Sequence, residues 1–150
     1  MMLKRNLIGF VLACSMTAAA TAQEPKMGGV INTVIQPEPP SLMLAMIQNG
    51  PTQMVAGNIF EGLLRYSPKL EPLPGLAESW TISDDAKVYT FKLKKGVTWH
   101  DGKPFTSADV LFSIDMLKQT HARARGNLTQ VEKVEAPDDS TVVFTLKQPF

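Results

Sequence analysis

Apolar positions change period several times along the chain, and each change predicts an element. Val30, Ile31, Val34 and Ile35 follow Gly28-Gly29, and the run suits a buried strand over residues 30–35. The segment Gln36-Pro37-Glu38-Pro39-Pro40-Ser41 breaks it. Proline has no N–H for a sheet ladder and fixes its own φ, so an ordered loop is expected there. Residues 42–49 are apolar and methionine-rich, compatible with a helical turn or an extended run. Met54, Val55, Ile59 and Leu63 fall on one face at helical spacing, predicting a helix over about 52–61 with Gly62 loosening its end.

Residues 63–66 read as a short strand and residues 67–74 as a proline-rich turn. Leu76-Ala77-Glu78-Ser79-Trp80 is expected to form a short helical turn leading into Thr81-Ile82. Ser83-Asp84-Asp85-Ala86 has turn composition. Beyond it Val88, Thr90, Lys92 and Lys94 alternate with Tyr89, Phe91, Leu93 and Lys95, the period of two that a half-buried strand requires. The two strands form a hairpin. Thr106 with Asp109 three residues on imitates a capping box, opening a helix whose stripe is Val110, Ile114 and Leu117, with Leu111 alongside, running out by His121. Residues 121–126 read as a polar connector. A second hairpin pairs residues 129–135 with 141–146 across Ala136-Pro137-Asp138-Asp139-Ser140. Mixed α and β with antiparallel hairpins argues against a simple parallel βαβ domain after about residue 50.

The ends change the picture. Lys4 and Arg5, an apolar run over residues 7–13 and Ala20-Thr21-Ala22 form an export signal with cleavage expected before Gln23. The apolar run is far short of the roughly 20 residues of a membrane span. Loss of Lys4 and Arg5 takes the formal net charge from +1 to −1, leaving no polybasic patch for nucleic acid or an anionic membrane. Val11-Leu12-Ala13-Cys14 loosely resembles a lipoprotein cleavage box, so a lipid anchor on Cys14 stands as the alternative to a soluble exported form. The single cysteine excludes an internal disulfide. The chain stops straight after a strand-like run, and is expected to be the N-terminal part of a longer protein.

Five pieces then occur in a telling order. They are Pro39-Pro40-Ser41-Leu42; Ile59-Phe60-Glu61-Gly62-Leu63-Leu64; Gly75-Leu76-Ala77-Glu78-Ser79-Trp80; Tyr89-Thr90-Phe91-Lys92-Leu93-Lys94-Lys95-Gly96-Val97; and His100-Asp101-Gly102-Lys103-Pro104-Phe105-Thr106, extended by Asp109-Val110. Together with the export signal they resemble the N-terminal lobe of family-5 solute-binding proteins of ABC transporters, the dipeptide, oligopeptide and nickel type.

That resemblance implies an α/β class, the periplasmic-binding-protein-like type II two-lobed fold with an extra α+β subdomain, of which only the N-terminal part is present. Residues 1–22 would be the signal, 23–50 the start of the first lobe, 51–150 the incomplete extra subdomain, with the second lobe beyond. It further implies a periplasmic, monomeric binding protein that is not an enzyme and carries no cofactor. Such a protein captures a small solute, peptides first, between its lobes and presents the closed form to an ABC importer permease. A nickel chelate, haem, an opine or an oligosaccharide are the alternative ligands. An envelope sensor or chaperone-like protein on the same fold is the alternative role. Leu42-Met43-Leu44 stands where relatives often have Leu-Asp-Pro, which leaves the ligand class open.

Candidate ligand-binding residues lie in two places. Gln36, Pro37 and Glu38 follow the C-terminal end of the first predicted strand, where α/β sheets tend to form crevices. Ile47, Gln48 and Asn49 occupy a segment that approaches the ligand in peptide-binding relatives, and the two amides offer donors and acceptors for a peptide backbone. For each, a plain surface loop is the competing reading. His100-Asp101 reads as a tight turn at Asp101-Gly102, since adjacent strand residues point apart. His100 with His121 lacks a third metal ligand. Trp80, Tyr89, Phe91, Trp99, Phe105 and Phe112 read as core in preference to a pocket. No nucleophile, base or carboxylate pair forms a catalytic group.

Overall fold

The computed structural model describes residues 27–47 and 49–149. The export segment, Cys14 and Gln48 fall outside the described residues. The chain divides into two compact units between Thr33 and Val34. Of the first, residues 27–33 are described. They form no helix or strand, with Gly28 and Gly29 at φ 84° and 112° and Met27, Val30 and Ile31 exposed. The strand expected over 30–35 is therefore not formed. Its residues have strand propensity, but a strand exists only against a partner, and among the described residues none pairs with it.

The second unit opens with a loop and a short helix, α1 (Gly50–Ala56). It is shorter than its periodicity predicts, and buries Thr52 and Ala56, not the larger Met54, which is 62% exposed. Ladder bonds tighten after Ala56, whose carbonyl accepts from both Ile59 and Phe60 N–H. Next come β1 (Leu64–Tyr66) and β2 (Pro72–Pro74), an antiparallel pair. The expected proline-rich turn is thus narrower than 67–74. Ser67 Oγ accepts from Lys69 and Glu71 N–H, closing it early and leaving residues 72–74 free to pair.

β3 (Ala77–Ile82) and β4 (Val88–Leu93) form the expected hairpin, but of residues 76–80, expected as a helical turn, 77–80 are strand. The error has a geometric cause. The register slips between Ala77 and Ser79, so that Ala77 opposes Leu93 and Trp80 opposes Phe91. Leu93 and Phe91 share a sheet face, so the bulge puts Ala77 and Trp80 on one face three residues apart, the spacing of a helix.

α2 (Ser107–Thr120) follows the capping-box expectation: the Asp109 carboxylate accepts from Thr106 N–H at 2.7 Å. Its stripe begins at the buried Val110, while Phe112 is 65% exposed and so is not core. The polar connector expected over 121–126 is instead a second helix, α3 (Ala122–Leu128). His121 ends one helix and begins the next. Its N–H donates to Leu117 O at 3.1 Å, and its Nδ1 accepts from Ala124 N–H at 2.8 Å. β5 (Val131–Asp138) and β6 (Thr141–Leu146) close the chain, leaving a two-residue turn at Asp139-Ser140.

The four longer strands make one antiparallel sheet in the order β3-β4-β6-β5. Its centre is Leu93, Val110 and Val142, where β4, α2 and β6 meet, with Phe144 edge-on to Phe91 at 5.6 Å. The Asp139-Ser140 turn is where α2 docks. Ser107, 2% exposed, donates from Oγ to the Asp138 carbonyl at 2.7 Å and from N–H to the Asp139 carbonyl at 2.9 Å. Asp138 closes the same turn, accepting from Thr141 Oγ1, Ser140 N–H and Ser140 Oγ at 2.8–2.9 Å. These bonds, Thr141's first, hold its carboxyl below the usual carboxylate range.

A Cβ on Gly75 would sit 2.5 Å from the Gly62 carbonyl and 2.9 Å from that of Leu63, both backbone atoms that bond Leu76, Gly75 and Ala77. Gly75→Ala is therefore expected to lower stability by about 1–3 kcal/mol in urea unfolding. Gly126→Ala, in open space within α3, is expected to raise it by up to about 1 kcal/mol. Asp138 has a depressed folded-state pKa, so its contribution is present above the ordinary carboxylate pKa and lost as pH falls through the folded value. The difference in melting temperature between the wild type and Asp138→Asn should be largest at neutral pH and shrink as pH falls below the ordinary carboxylate pKa.

Candidate functional site

Residues 36–49 lie before α1 and carry the groups singled out in the sequence. Gln36, Pro37 and Glu38 are exposed, at a bend with a cis Gln36–Pro37 bond. Ser41 then turns the chain: its Oγ accepts from Met43 N–H at 3.0 Å. Met46 and Ile47 N–H both donate to the Met43 carbonyl, at 3.1 and 3.2 Å, making one helical turn, the first of the two conformations the sequence left open. Ile47 is half-buried. The structure thus places Gln36, Pro37, Glu38, Ile47 and Asn49 on one loop, while Gln48 lies outside the described residues.

Asn49 has a second task. Its Oδ1 accepts from Thr52 N–H at 2.8 Å, capping α1, with Pro51 in the first turn. The acceptor it was expected to offer a ligand is therefore engaged, and its Nδ2 remains as donor. Thr52, absent from the sequence candidates, is fully buried beneath this loop, and its Oγ1 donates to the Ser41 carbonyl at 3.0 Å. Thr120, at the end of α2, donates to the Ala45 carbonyl at 2.8 Å. The Asn49-Gly50-Pro51 run is a legible cap signal that would have moved the helix start from 52 to 50 and drawn attention to Thr52.

Two concavities lie away from this loop. The larger, about 480 Å³, opens on the sheet between α3 and β1, lined by Leu64, Tyr89, Phe91, Leu128, Phe144 and others, with no charged side chain. Tyr89 and Phe91, expected as core, instead line this open trough; of the six aromatics read as core, Phe105 alone packs against the Leu93, Val110 and Val142 cluster. The smaller, about 180 Å³, includes Phe60, Glu61, Trp99 and His100. Trp99 lies edge-on to Phe105 at 5.9 Å. The turn beneath His100 matches expectation: Gly102, at φ 84°, donates to Trp99 O at 2.9 Å, and Asp101 accepts from Lys103 N–H and its ammonium. No group of three metal-ligating side chains exists among the described residues, and none of their helices is long and apolar enough to cross a membrane.

Residues 71–150 match the middle portion of the bacterial extracellular solute-binding proteins, family 5. The chain belongs to that family. It is 45% identical over 93 residues to a peptide-binding protein assigned to an ABC transporter in Brucella ovis, covering 60% of this chain and 18% of that one. It is 37% identical over 101 residues to the glutathione-binding protein GsiB of Escherichia coli, covering 66% and 20%. Among solved structures, AgaA of A. tumefaciens, bound to agropinic acid, superposes with a TM-score of 0.69 at 36% identity over 75% of this chain and 23% of that one. The murein tripeptide binding protein MppA of E. coli gives 0.69 at 29% over 77% and 26%. Such structures are two-lobed periplasmic binding proteins of mixed α/β content, and this chain corresponds to part of one. It spans about a fifth of the length of the curated relatives it matches.

The double use of Asn49 gives a separable prediction. Asn49→Ala should lower stability by about 1 kcal/mol, whereas Asn49→Asp, which keeps the cap oxygen, should leave the urea midpoint near wild type. Equal losses in both variants would mean that the amide donor, not the cap, is what the fold needs.

Proposed function

We propose that the protein is an exported, monomeric solute-binding protein that captures peptides between two lobes and delivers them to an ABC importer permease in the bacterial envelope. The observation that carries this reading is the 45% identity to a transporter-linked peptide-binding protein. The glutathione- and tripeptide-binding relatives support the same ligand class. Residues 23–50 begin the first lobe and 51–150 its extra subdomain, with the loop at 36–49 as one wall of the cleft. A peptide lying there would be held through its backbone, so side chains vary at little cost. Closure on the ligand stabilises the form that the permease recognises. The protein acts by binding, without catalysis and without nucleic-acid partners, and the export signal leaves it soluble in the periplasm.

A second reading has its own observation. The agropinic acid protein shares 36% identity and the nickel–histidine protein NikZ of Campylobacter jejuni 32%, with TM-scores of 0.69 and 0.65. A small acidic non-peptide or a metal chelate is the ligand under that reading. Native mass spectrometry of the full-length gene product, purified from the envelope without denaturation, separates the two. Bound masses resolving into short peptides are expected. A single non-peptide mass or a nickel chelate overturns the peptide assignment.

A further inference from the structure

Residues 42–47 expose much of their apolar surface, with Leu42 at 47%, Met43 at 44% and Met46 at 60%. Segments with little buried apolar contact open easily unless something else holds them. Here polar ties from outside the loop do so. Thr52 fixes both ends: its Oγ1–H donates to the Ser41 carbonyl at 3.0 Å, and its N–H donates to Asn49 Oδ1 at 2.8 Å. Thr120 fixes the crown, its hydroxyl lying 2.8 Å from both the Ala45 and the Met116 carbonyls and sharing one proton between them. Thr52 is 0% exposed. Valine has the same shape and would fill that space without a hydroxyl to desolvate, so the hydroxyl contributes the tie and nothing to packing.

We propose that Thr52 is a positioning residue for ligand binding, presetting the loop so that capture does not have to order it, with Thr120 as a second tie from α2. The proposal rests on residues 36–49 forming a wall of the cleft. Its effect is that of a population: if the binding-competent loop is present a fraction of the time, the apparent dissociation constant rises by the inverse of that fraction.

The test uses the full-length gene product as wild type, Thr52→Val, Thr52→Ser and Thr120→Val. Three quantities are read: trialanine affinity by calorimetry, hydrogen exchange over residues 42–47 without ligand, and melting temperature. Thr52→Val is expected to weaken trialanine binding about tenfold and to speed exchange in the loop. Thr52→Ser is expected to restore both, because the hydroxyl returns while volume is lost. Thr120→Val, on an exposed side chain, is expected to shift both in the same direction by about threefold, and it keeps the test alive if Thr52→Val does not fold. Unchanged loop exchange in both valine variants would overturn the tie itself. Faster exchange with unchanged affinity would leave the tie standing and overturn its role in binding, together with the cleft-wall reading. A fall in affinity that tracks melting temperature, and that serine fails to rescue, would mark Thr52 as structural only.

Discussion

The contact on which the unit depends is the docking of the α2 N-terminus on the β5–β6 turn. An α-helix begins with N–H groups that have no partner inside the helix. Here Ser107 donates its N–H and hydroxyl to the carbonyls of Asp139 and Asp138, while Asp109 takes the Thr106 N–H. The same turn offers the Ser140 carbonyl to Leu93 N–H at 2.8 Å. One two-residue turn therefore fixes the angle of α2, the end of β4 and the pairing of β5 with β6. The hydrophobic cluster of Leu93, Val110 and Val142 lies beside it and can pack only if those three elements arrive together. Because α2 is set at its N-terminus, its far end is set too, and Thr120 there reaches the Ala45 carbonyl. A turn at one end of the unit thus bears on the loop at the other.

Much of this was legible in the residues. The alternation at 88–93, the hairpin strand at 141–146 and the Thr106–Asp109 spacing each carry one local rule and obey it. The misreadings occur where two rules overlap. Residues 76–80 looked helical because a bulge reproduces a spacing of three. Residues 121–126 looked like a connector because they are polar and end in Gly126, yet His121 supplies both caps and Ala122 and Ala124 favour helix. The strand at 30–35 illustrates a different limit. Propensity was read correctly, but a sheet residue is defined by what pairs with it, and the sequence of the strand alone does not contain that partner.

The candidate loop was located from the sequence, its internal mechanics less so. Gln36, Pro37 and Glu38 are exposed, but the strand whose C-terminal end recommended them is not formed. Asn49 was valued for its amide, but half of that amide caps α1. Thr52 gave no signal as chemistry, because a lone threonine in a helix is ordinary. Only its burial and the position of the Ser41 carbonyl reveal its task. Family resemblance located the loop; hydrogen-bond geometry explains why it holds its shape.

On the function proposed above, this unit presents residues 36–49 to a ligand. A crystal structure of the full-length protein with its co-purified ligand tests it most directly. The account predicts ligand atoms within contact distance, about 4 Å, of residues in the 36–49 loop, with the Ser41–Thr52 and Ala45–Thr120 hydrogen bonds intact. A ligand seated wholly elsewhere, with that loop in solvent, would contradict it.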